Sequence, residues 1–172
     1  RVMHVGVEAN TQVTQGTLLF EVDPVPYRNA VERLTSAVTE AEQSRDVADA
    51  SVAVATATLK QADARLTYAT DERDRVTALF ERGSSSQQER DAAVSQFDQA
   101  DASVTQAKAT LAQAKLSVSL ATVQIEQANT QLADAQYDLQ QTKVFAPDDG
   151  YVTNLQLRTG MLVGGGGSSS VM

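Results

Sequence analysis

The sequence contains no cysteine, no tryptophan, a single histidine and three prolines, and aromatic residues make up only 5% of it. Without cysteine there is no disulfide frame and no thiolate site, and the redox compartment stays open. His4 alone cannot assemble the three or four N/S ligands of a zinc or redox-metal centre, so neither a metal nor a cofactor is expected. No run approaches the about 18 apolar residues of a membrane span, and no signal peptide is visible at Arg1. Basic residues are the minority, 14 against 22 acidic ones for a net charge of −8, the reverse of a nucleic-acid surface. Gly164–Gly167 opens onto no helical pattern and is no phosphate loop. Asp148 and Asp149 sit in a Pro-Asp-Asp-Gly turn, and Ser84–Ser86 has no histidine near it in sequence, so no catalytic constellation is expected.

What the chain does have is a heptad ladder. Ala93, Ala100, Ala107, Ala114, Ala121, Ala128 and Ala135 recur every seven residues. A large apolar residue follows each by four, from Phe97, Val104 and Leu111 to Leu132 and Leu139. Alternating steps of four and three are the mark of a coiled-coil seam. The preceding half carries the same ladder from Val31 and Leu34 through Ala48, Val52, Ala55, Leu59, Ala62, Leu66 and Ala69 to Val76 and Phe80. Arg45 and Arg73 occupy two of its large positions, either as a buried polar register device or, more plainly, snorkelling with the stem packed and the guanidinium in water.

The ends of these helices are written in capping chemistry. Asp23-Pro24 offers an N-cap and a proline at the first helical position, with Val22 and Tyr27 spaced for a hydrophobic staple. Gly83 suits a left-handed C-cap, and Ser86-Gln87-Gln88-Glu89 reads as a capping box. The expectation is mainly α with a small β part, an antiparallel two-helix hairpin over 23–142 with helices about 24–82 and 87–141 and a tip at about 83–86. Helices of roughly 55 residues make a rod of about 80 Å. With reversal near Ser86, facing residues should have numbers summing to about 173, which sets Leu66 against Ala107 and Ala62 against Leu111, a large residue against an alanine. One large side chain per layer leaves such a hairpin marginal and in want of lateral neighbours.

Strand signals flank the hairpin. Residues 1–22 alternate valines with turns at Glu8-Ala9-Asn10 and Gly16; beyond the second helix come Lys143–Ala146, a Pro147–Gly150 turn, and a strand over Tyr151–Leu157. The pieces 1–22 and 143–163 are expected to complete one small sandwich, and 164–172 reads as a flexible Gly/Ser tail. The abrupt strand-like start at Val2–Val5 suggests a piece of something longer, with any membrane anchor outside it.

This architecture resembles the periplasmic adaptor family (membrane fusion proteins, HlyD-like) of tripartite efflux and type I secretion systems. The matching segments are Val7–Val13, Gly16–Pro24 with Pro26-Tyr27, and Leu139–Gly150. The resemblance implies two halves of a lipoyl-like β-sandwich split by the hairpin, and a non-catalytic protein of the Gram-negative periplasm, anchored to the inner membrane at full length. Its partners would be a TolC-like outer-membrane channel at the hairpin tip and an inner-membrane transporter through regions not in this chain. A homo-oligomer, by the resemblance a hexamer, is implied as well. Family members that meet such a channel carry Arg-x3-Leu-x6-Ser at the tip, and Arg75, Leu79 and Ser86 stand at that spacing. Each has a plainer explanation: Ser86 as a cap, Arg75 as a solvated charge, Leu79 as seam-edge packing. Two rival functions remain, a plain coiled-coil scaffold without a channel partner and a lipoyl or biotinyl carrier. The carrier needs a lysine on a β-turn, which residues 1–22 lack, while Lys143 reads as strand.

Overall fold

The computed structural model describes residues 1–153 and 155–163; the Gly/Ser tail expected over 164–172 lies outside the described residues. The chain divides into two compact units, Arg1–Thr39 with Glu126–Met172, and Glu40–Ile125. Among the described residues there are two long helices, α1 (Val25–Glu81) and α2 (Gln87–Gln140), and five short strands: β1 (Val2–Val5), β2 (Gln12–Val13), β3 (Leu18–Val22), β4 (Lys143–Phe145) and β5 (Gly150–Tyr151).

In the first unit each sheet draws strands from both sides of the helices. One sheet has the order β1-β3-β4, all antiparallel, and the other pairs β2 with β5. Phe20 pairs with Val144 and Gln12 with Tyr151, so neither terminal piece closes a sheet without the other. Gly6 is required where β1 ends, because a Cβ there would meet the Leu18 carbonyl oxygen at 2.6 Å. The Asp149 carboxylate accepts a hydrogen bond from the Gln15 N–H at 2.7 Å, which ties the Pro-Asp-Asp-Gly turn to the opposite half. The strand expected over Tyr151–Leu157 is shorter than the pattern suggested. Val152 still exchanges backbone hydrogen bonds with Asn10 and Thr11, but there β2's side of the pair turns away through Asn10 at φ 67°. A strand without a facing edge does not continue.

α1 starts as its capping signals require. The Val25 N–H donates to the Asp23 carboxylate at 3.1 Å, and Val22 and Tyr27 line one small groove beside Thr142. Where α2 ends, buried Thr142 donates its hydroxyl to the Leu139 carbonyl at 2.6 Å, and its own carbonyl accepts the Val22 N–H at 2.8 Å. The end of α2 is thereby tied to the strand that precedes α1.

In the second unit the seam positions from both ladders are buried or half-buried, with Arg45 the exposed exception. Ala62, Val104 and Ala107 form its buried cluster, with Leu59 and Leu66 packed against it. The register differs from the expected one. The Arg73 guanidinium lies 4.0 Å from the centre of the Phe97 ring, and Arg90 lies 4.7 Å from that of Phe80. Facing numbers therefore sum to about 170 rather than 173. Ala62 and Ala107 then share a groove, as do Ala48 and Ala121, while Leu66 comes level with Val104. Alanine faces alanine and large faces large. The reversal is centred ahead of Ser86, and a shift of three to four steps along this ladder exchanges the two partner types. Thin alanine layers let the backbones approach, and the thick layers between them carry the apolar burial. Arg45 keeps its guanidinium in water with Asp46 and Asp49, whereas Arg73 stacks on Phe97 and reaches Asp74 at 2.7 Å.

Candidate functional site at the hairpin tip

Five residues, 82–86, separate the two long helices, and their backbone is fully specified. Gly83 takes φ 71°, the Gly83 N–H donates to the Phe80 carbonyl at 2.9 Å, and the Ser84 N–H donates to the Leu79 carbonyl at 2.8 Å. That pair of bonds is a Schellman motif, which satisfies carbonyls the helix end leaves free. On the other side Ser86 and Glu89 form a reciprocal capping box. The Glu89 N–H donates to the Ser86 hydroxyl oxygen at 3.2 Å, and the Glu89 carboxylate accepts the Ser86 N–H at 2.7 Å. The Ser86 and Ser85 hydroxyls donate to that carboxylate too, each at 3.0 Å. The Ser86 N–H above all, then the two hydroxyls, hold the Glu89 carboxyl below its ordinary range.

Arg75 and Leu79 lie one turn apart on the side of α1 next to the seam. The Arg75 side chain is 67% exposed and paired with Glu72, whose own side chain is only 23% exposed. The hydrogen bond to Glu72, with its charge, raises Arg75's affinity for its proton. Leu79 is 38% exposed and lines a groove of about 320 Å³ with Glu72, Val76, Ser84, Ser85 and Glu89. Ser86 has its hydroxyl and N–H engaged in the capping box, and neither it nor Arg75 lines that groove. The expected trio is thus a pair of exposed side chains on one helix turn and a capping serine at the start of the next helix. Sequence reasoning passed over Glu72, whose signal was its place three residues before Arg75. It also passed over Arg90, which sits seven before Phe97 and extends the large positions of the ladder by one.

Away from the tip, the β unit holds an apolar cavity of about 360 Å³ lined by Val13, Leu19, Phe20, Val144, Tyr151 and Leu157 among others. Lys143 lies in β4 with its ammonium 3.8 Å from the Glu21 carboxylate. Among the described residues no group of three His, Cys, Asp or Glu side chains is placed to hold a metal ion. Among them too, no helix is long and apolar enough to cross a membrane.

Residues 51–121 match the family model of the RND MFP (membrane fusion protein) alpha-helical hairpin domain. No curated protein matches the chain in sequence. Among solved structures, that of the periplasmic adaptor protein EmrA matches 95% of this chain at a TM-score of 0.53 and 15% identity. MacA from Actinobacillus actinomycetemcomitans also matches over 95%, at a TM-score of 0.51 and 23% identity. The chain spans 65% of the former and 42% of the latter, and at such identities the likeness is one of fold. The resemblance to the periplasmic adaptors, or membrane fusion proteins, that the sequence motifs carry is met both by the family model of the hairpin and by the two-helix fold with its flanking strands.

Proposed function

We propose that this chain is the hairpin-bearing part of a periplasmic adaptor that links an inner-membrane transporter to a TolC-like outer-membrane channel for export. The tip docks on the channel through Arg75 and Leu79, and Ser86 sets the start of the second helix behind them. The observation that carries this reading is the contrast within the tip. Ser86, Glu89 and Gly83 are consumed in closing the two helix ends, whereas Arg75 and Leu79 remain exposed on a backbone those bonds hold still. Two side chains per hairpin make a weak contact, so several copies acting together supply the affinity. A homo-oligomer, a hexamer by the family resemblance, is the corresponding form, and the strands on either side of the helices form its lipoyl-like domain.

The test is Arg75→Asp and Leu79→Asp in the full-length protein. Export is expected to fall to the level of an adaptor-deficient cell, with helix content and melting midpoint unchanged. Undiminished export by both variants would reduce the hairpin to a plain scaffold. A lipoyl or biotinyl mass on a lysine would instead make the protein a carrier. The ion pair of Lys143 with Glu21 on a strand speaks against that role.

A further inference from the structure

Along most of the shaft one large layer is as good as the next. Leu66 comes level with Val104, Leu59 with Leu111 and Val52 with Val118, all aliphatic pairs. A slide of one heptad along the seam keeps large against large and alanine against alanine, so these layers do little to oppose it. Whatever opposes it has to break the repeat, and two layers do.

The two large layers nearest the tip are each a cation on a ring, with the order reversed. In one, Arg73 of α1 lies over Phe97 of α2; in the other, Arg90 of α2 lies over Phe80 of α1. Each guanidinium also donates from Nε and Nη2 to the aspartate that follows it in sequence. Arg73 reaches Asp74 at 2.9 and 2.7 Å, and Arg90 reaches Asp91 at 3.1 and 2.7 Å. Arg45 supplies the control. It too occupies a large position and pairs with the next residue, Asp46, but its level partner is Ile125. Its side chain stays 46% exposed, against 29% for Arg73 and 34% for Arg90. A neighbouring carboxylate alone leaves an arginine out in water, and the ring opposite draws it in.

The observed alignment is the one that gives each cation a ring. One heptad in one direction sets Arg73 against Arg90, like charge on like charge. One heptad in the other sets Arg73 against Val104 and Phe80 against Phe97, and carries Arg90 past the end of α1. A polar residue in a seam fixes register at some cost in stability. The two layers also bracket the proposed docking pair, since Arg75 and Leu79 lie between Arg73 and Phe80 on α1.

We propose that Arg73 and Arg90 are positioning residues, two cation–π clasps of opposite sense that hold α1 and α2 in one register and so fix the height of Arg75 and Leu79. The positioning role rests on the docking proposed above, whereas the register role stands without it.

The chain has no cysteine, so introduced thiols report the register directly. Ala62→Cys is combined with Ala107→Cys, which shares its groove, or with Ala100→Cys or Ala114→Cys, one heptad away on either side. A heptad is about 10 Å of helix, beyond the reach of a disulfide. Ser86→Ala is included throughout so that the capping box does not mask the clasps. With both arginines present, only the 62–107 pair is expected to cross-link within one chain, as resolved by non-reducing electrophoresis. With Arg73→Leu and Arg90→Leu, cross-linking at 62–100 or 62–114 should rise from background to rival it. Helix content is retained, because an apolar layer replaces each clasp. Arg73→Lys and Arg90→Lys keep the cations and should restore the single register. If the leucine variant keeps the single register, or the lysine variant slides as the leucine one does, the clasps do not set the alignment and the proposal is overturned. In the full-length protein, export by the leucine variant should fall below that by the lysine variant. A slid register with export intact, where Leu79→Asp abolishes export, overturns the positioning role. If Leu79→Asp has no effect either, docking fails and the register role stands on the cross-links.

Discussion

The shaft of the hairpin and its tip are built on opposite principles. In the shaft the same two layers alternate, alanine against alanine and large against large, and no layer depends on a particular hydrogen bond. At the tip nothing repeats. Gly83, Ser84, Ser86 and Glu89 each make bonds that occur once, and removing one leaves a helix end open. Redundancy suits a part whose task is to persist, and single-copy bonding suits a part whose task is to hold a few side chains in one place.

Four changes probe that contrast. The largest effect is expected from Ala107→Leu, because Ala107 is only 4% exposed in a thin layer against Ala62. Overpacking there should cost about 1–3 kcal/mol and lower the urea midpoint followed by circular dichroism. Next comes Ser86→Ala, which deletes the acceptor for the Glu89 N–H and should cost about 1 kcal/mol. Its signature is local, with faster amide exchange over 86–90 and unchanged exchange in the shaft. A third test uses pH. Glu89's carboxyl is depressed in the folded state, so its contribution is present above its unfolded value and is lost as pH falls through the folded one. Acidification should therefore loosen the tip box, and NMR titration of the Glu89 carboxyl should place its midpoint below that of a glutamate in an unstructured peptide. The smallest effect belongs to Arg45→Ala. Its pairs with Asp46 and Asp49 are exposed, and no change in melting midpoint beyond measurement error is expected.

The same contrast governs what was readable beforehand. Heptads announce themselves because a seam must repeat, so both ladders and the two-helix fold could be read from Val31 to Leu139. Capping residues are legible for a different reason: Asp23, Gly83 and Ser86 belong to the few types that can satisfy a free helix end. The register was not legible, because it depends on where within five tip residues the chain turns. A ladder that alternates small and large reads plausibly in either alignment. The strand beginning at Tyr151 was legible but its shortness was not, since the valine and leucines after it fit a strand while their partner edge ends at Asn10. Arg75 and Leu79 stood out only through their spacing with Ser86. What distinguishes them physically, exposure beside a groove, belongs to the folded tip.

The like-with-like layering also constrains how such a hairpin can change length. Removing seven residues from α1 alone would leave the layers between the cut and the tip in place, slide every layer beyond the cut past its partner by one heptad, and leave α2 with an unmatched heptad. Removing seven from each helix at one level keeps every surviving pair in register and leaves the tip bonds untouched. Length is therefore a quantity that comes in paired heptads, adjustable at any height of the shaft. Relatives of different reach are expected to differ by matched insertions of that size at mirror-related sites.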